Sequence, residues 1–208
     1  MAGRTGGGRL MNTQTLWYAS RATGAVSLVL FTAVILLGIS TARRHNRPAF
    51  PRSATLRLHR SVSVTAVVFL TVHIVTAIAD GYVKLNYWDV FLPFTAAWDP
   101  LWVGLGSVAV DLLLAVLVSS AVRRRLTVRT WRLVHLASYA MWPIALVHGF
   151  GIAGGDGRST WMLALDVVCI AAVAGMLLVR LRPDRHPDTL QRSVADVVHP
   201  RTPPGANR

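Results

Sequence analysis

Leu58–His73, LHRSVSVTAVVFLTVH, and Trp131–Gly149, WRLVHLASYAMWPIALVHG, are apolar stretches that each carry two histidines. His59 and His73 lie 14 residues apart and His135 and His148 lie 13 apart. At about 1.5 Å rise per residue, each helix would hold its imidazoles roughly 20 Å apart along its axis. That separation fits two cofactors stacked within one bilayer. An ionisable side chain is costly in hydrocarbon and normally has a working partner there, and a neutral imidazole is a common donor to haem iron.

Working outward from these stretches, the composition sets the class. Of 208 residues 53% are hydrophobic and 15% charged, and mean hydropathy is +0.46, values that belong to a polytopic membrane protein rather than a soluble domain. Five runs approach the ~20 apolar residues that cross a bilayer: about 22 to 41, 61 to 79, 101 to 122, 133 to 153 and 161 to 179. The first lacks a short signal-peptide core and cleavage site and reads as a retained helix. The expected fold is an all-α, five-span transmembrane bundle over residues 16–182, between flexible tails 1–15 and 183–208.

The formal charge of +13 comes from 22 basic residues, all arginine except Lys84, against nine aspartates. Nucleic acid is not the expected partner, because the arginines flank apolar spans, where topology and anionic membrane lipid explain them. Arg43, Arg44, Arg47, Arg52, Arg57 and Arg60 fill the first connection, and Arg123, Arg124, Arg125, Arg129 and Arg132 the third. The second connection sets Lys84 against Asp80, Asp89 and Asp99, and the fourth holds Asp156 and Arg158. The arginine-rich loops therefore face the cytoplasm, with the N-terminus outside and the C-terminus inside. The second and fourth spans then run parallel, which places His59 level with His135 near the inner face and His73 level with His148 near the outer face.

Two imidazoles across one iron fill both axial positions and leave an electron carrier with no open site. The alternatives are histidines that pack or handle protons in a transporter or scaffold, or a divalent-metal path that would recruit Asp111 and Asp166. Helical phase distinguishes the two pairs. At ~100° per residue, His73 returns to within about 40° of His59, whereas His148 falls about 140° from His135. Pro143, between the second pair, is where a change of phase is expected. Asp166 is placed to orient a ligand imidazole or to pack, and Arg60 and Arg132 to neutralise cofactor carboxylates or snorkel. Trp88, Trp98 and Trp102 suit an interfacial belt. Cys169, the single cysteine, forms no internal disulfide and no CxxCH attachment. The glycine-rich GRTGGGRL and GIAGGDG follow no strand and do not suggest phosphate binding.

The stretches 58–73 and 131–149, with DLLLAVLVSSAVRRRL (111–126) between them, resemble the ferric reductase-like transmembrane domain over about residues 15 to 182. That superfamily includes ferric reductases, NADPH oxidases and the haem subunit of the periplasmic methionine sulfoxide reductase system. The resemblance implies two noncovalent b-type haems on His59, His73, His135 and His148, so that electrons cross the plasma (inner) membrane. It also implies an extracytoplasmic acceptor: ferric iron, oxygen, or a flavin-bearing or methionine-repair partner. Many relatives have six core helices where five are counted here. Ferric reductases and NADPH oxidases continue into flavin and NAD(P)H domains, whereas only about 28 polar residues follow Arg180. No flavin site is expected in the chain, and a separate flavoprotein or a quinol is the expected donor.

Overall fold

The computed structural model describes residues 5–42, 52–80, 83–154 and 159–181. They form five long helices, α1 (Thr5–Ala42), α2 (Arg52–Ala79), α3 (Pro100–Ala121), α4 (Val128–Ile152) and α5 (Thr160–Leu181), with no strand among the described residues. All five contain a segment long and apolar enough to cross a membrane: Gln14–Thr41, Ser53–Ala79, Pro100–Ala121, Val128–Ile152 and Thr160–Leu181. The chain is a multi-pass membrane protein. The expected tail 183–208 lies outside the described residues.

Helices outrun the apolar windows read from sequence. α2 starts at Arg52 rather than near residue 61, so His59 lies two turns inside it. Hydropathy marks the hydrocarbon, but helical hydrogen bonding continues into the interface, where arginine stems lie along the helix and their heads reach water. The outward face of α2 carries exposed Val64, Val68, Val72 and Val75, spaced at helical intervals. Such a stripe is stable against lipid and unstable against water.

α1 packs along α2 and α3 along α4, while α1 also touches α4 and α5. α2 and α4, the histidine helices, thus lean on their own hairpin partners rather than on each other. The buried core between the two histidine levels includes Phe31, Ala66, Leu113, Met141 and Trp142. Trp142 Nε1 donates to Thr32 Oγ1 at 2.9 Å, tying α4 to α1 at mid-depth. Cys169 is buried in the same core. α4 stays a single helix through Pro143.

The segment between α2 and α3 folds back over the bundle end. It makes a 3-10 turn at Tyr87–Val90, and its anchor is the buried Asp89. The Asp89 carboxylate accepts from the Asn86 amide at 2.8 Å and from Thr95 Oγ1 at 3.1 Å, while Ser107 Oγ of α3 donates to the Asp89 carbonyl. Pro100 opens α3, where its missing N–H costs no hydrogen bond.

Candidate functional site

At the end of the bundle roofed by residues 83–99, the rings of His73 and His148 lie 6.5 Å apart between centroids, with planes at 78°. Both are pinned by backbone. His73 Nδ1 donates to the Ser20 carbonyl of α1 at 2.8 Å, and His148 Nδ1 donates to the Trp102 carbonyl of α3 at 2.7 Å. A carbonyl accepts only, so each ring must carry its proton on Nδ1 and its lone pair on Nε2. Nε2 is then the nitrogen available to a metal.

A glycine one turn beyond each carbonyl makes room for the ring. A Cβ at Gly24 would approach His73 to 3.0 Å, and one at Gly106 would approach His148 to 2.7 Å. The same arrangement recurs at the other level, where His59 Nδ1 donates to the Val34 carbonyl at 3.1 Å. There a Cβ at Gly38 would stand 3.6 Å from the ring. Carbonyl and glycine are four residues apart in all three cases, and the two cradles on α1 repeat after 14 residues, the spacing of His59 and His73 on antiparallel α2. His59 lies within electrostatic reach of His135.

His135 differs. Its Nδ1 is buried with no hydrogen-bond partner, and its ring stacks on Trp131 at 5.0 Å between centroids and 24° between planes. Arg123 lies over the Trp131 ring at 4.3 Å. Arg60 and Arg132 are exposed, and Arg132 is three residues before His135, one turn nearer the arginine-rich end.

A cavity of about 250 Å³ surrounds the His73–His148 pair, and Trp17, Arg21, Trp98, Trp142 and Asp166 are among its walls. Arg21 stacks on Trp17 at 4.5 Å and donates from Nη2 to the Ala153 carbonyl at 3.2 Å. Arg21 is not among the residues singled out from the sequence. Its position at the first apolar boundary, one residue from Ser20, was the available signal. Asp166 is buried beside the cavity with Oδ2 unpartnered. Backbone carbonyls, not Asp166, orient the imidazoles of His73 and His148. Asp111 is half-buried. Of the expected belt, Trp88 is 70% exposed, whereas Trp98 and Trp102 turn partly inward.

The residues fit a haem. The His73 and His148 rings lie 6.5 Å apart between centroids, and each spends Nδ1 on a carbonyl and keeps Nε2, the kind of donor that haem iron takes. The donor set agrees, because a bare divalent ion needs further ligands, and among the described residues no three His, Cys, Asp or Glu side chains converge.

The profile of the ferric reductase like transmembrane component matches residues 23–146, more than half of the chain. The chain belongs to the ferric reductase-like transmembrane family. Domains of this family generally bind haem, and membership suggests transmembrane electron transfer. The matched region includes His59, His73 and His135 and stops two residues before His148. No curated protein and no solved structure matches the chain.

Proposed function

We propose that this ferric reductase-like chain is the electron-carrying membrane subunit of an oxidoreductase, with two b-type haems held by His59 and His135 near the cytoplasm and by His73 and His148 near the outer face. The observation that carries the reading is the outer pair: two imidazoles 6.5 Å apart between centroids, each with Nδ1 committed to a carbonyl and Nε2 left for a metal. Haem held by these histidines would supply one-electron transfer.

The chain's own residues do the positioning. Carbonyls of Ser20, Val34 and Trp102 fix three imidazole tautomers and raise their donor strength. Arg60 and Arg132 at the inner level, and Arg21 at the outer one, would offset propionate charge. The arginine-rich loops draw an acidic donor by long-range attraction. In this reading the chain sits in the plasma (inner) membrane with its N-terminus outside. A separate flavoprotein or a quinol reduces it, and electrons leave to an extracytoplasmic acceptor.

The visible spectrum of protein purified from cells supplied with haem tests this. A reducible low-spin b-type spectrum with two haems per chain is expected, falling to about one in His73→Ala or His148→Ala. A colourless preparation would overturn the proposal in favour of a transporter or scaffold whose histidines pack or handle protons.

A further inference from the structure

Three of the four candidate ligands are oriented by backbone. The register that pairs His148 with the Trp102 carbonyl and Gly106, continued 13 residues along α3, puts Ala115 at the carbonyl position and Ser119 at the glycine position for His135. Ser119 is buried and spends its hydroxyl on the Val116 carbonyl. His135 Nδ1 is left without an acceptor. On an ideal helix a 13-residue spacing sets His135 about 140° from the phase of His148, a spacing that does not repeat the His148 arrangement on α3.

What holds the ring instead is Trp131, four residues earlier on the same helix and therefore on the same face. Its indole lies nearly parallel to the imidazole at 5.0 Å, offset-stacking distance for such rings. The indole is itself covered by Arg123, 4.3 Å above its ring, from the arginine-rich turn Arg123–Arg125. We infer that Trp131 is the positioning residue of His135, doing by side-chain stacking what carbonyls do for His59, His73 and His148. Resting on the proposed di-haem reading, this makes the inner haem the one centre whose axial ligation depends on a replaceable side chain. An imidazole with a free Nδ1 and no stacking partner rotates away from its metal axis more easily than one anchored at both nitrogens.

The test compares Trp131→Ala and Trp131→Phe with the wild type by visible spectrum, by carbon monoxide binding to the reduced protein, and by redox titration. In Trp131→Ala one haem of the two is expected to become partly high-spin and to bind carbon monoxide, with a shifted midpoint potential. That haem is identified as the inner one by its absence in His59→Ala. The other haem keeps its spectrum and stays inert. Trp131→Phe, which keeps a stacking face, restores the low-spin, inert state. Should the alanine variant not accumulate, Trp131→Leu, apolar but without a π face, replaces it with the same expectation. The inference is overturned if the alanine or leucine variant leaves both haems low-spin, inert and at wild-type potentials, or if phenylalanine is as damaging as alanine. A haem-free wild type would overturn the proposed function as well, so the two failures are distinguishable.

Discussion

Adding one methyl group to each cradle glycine should perturb haem binding in an order fixed by the distances. A Cβ at Gly106 would meet the His148 ring at 2.7 Å, at Gly24 the His73 ring at 3.0 Å, and at Gly38 the His59 ring at 3.6 Å. Carbon atoms rest at about 3.5–4.0 Å, so Gly38→Ala makes an ordinary contact. Gly106→Ala forces the His148 ring back by roughly 1 Å, enough to break a 2.7 Å bond to the Trp102 carbonyl and to tilt Nε2 off the ligand axis. Overpacking of this kind costs about 1–3 kcal/mol, which corresponds to roughly 5- to 150-fold weaker haem binding at that site. Gly24→Ala falls between, since the ring must yield by a few tenths of an ångström. Haem titration of the three purified variants, read as haem bound per chain, should rank Gly106→Ala as most damaged, Gly24→Ala next and Gly38→Ala as wild type. Gly38→Ala equal to or worse than Gly106→Ala would refute the cradle reasoning.

Two further outcomes follow from buried hydrogen bonds. Trp142→Phe removes the Nε1 bond to Thr32 and should lower stability by about 1 kcal/mol, while Trp142→Ala also opens a cavity and should cost about 3–5 kcal/mol, both read from thermal unfolding in detergent. Asp89→Ala removes two acceptor bonds that shape the roof over the outer cavity and should cost about 2 kcal/mol. Proteolysis should then cut residues 83–99 faster while the five spans remain protected, and a wild-type cleavage rate would count against the anchor.

Much of the architecture was legible because hydrocarbon imposes a one-dimensional signal. Five apolar windows match five helices, and two of the four histidines singled out, His73 and His148, lie with rings 6.5 Å apart. What sequence did not reveal was what holds each imidazole. A backbone carbonyl is carried by every residue, so nothing in the letters at Ser20, Val34 or Trp102 marks them as acceptors, and only interhelical register selects them. Glycine did leave a trace: Gly24 and Gly38 repeat at the 14-residue spacing of His59 and His73. Pro143 lies inside a continuous α4, and on the inference above it is Trp131 that holds the His135 ring.

Because α1 supplies the carbonyls for α2 and α3 supplies one for α4, each antiparallel hairpin sets its own rings without help from the other. The two halves meet directly where α1 touches α4, with Thr32 and Trp142 joined at mid-depth. On the proposed reading iron porphyrin is the mortar between two prefabricated walls. Apoprotein would keep both hairpins and loosen at the seam, and assembly in the bilayer would finish only when the pigment arrives.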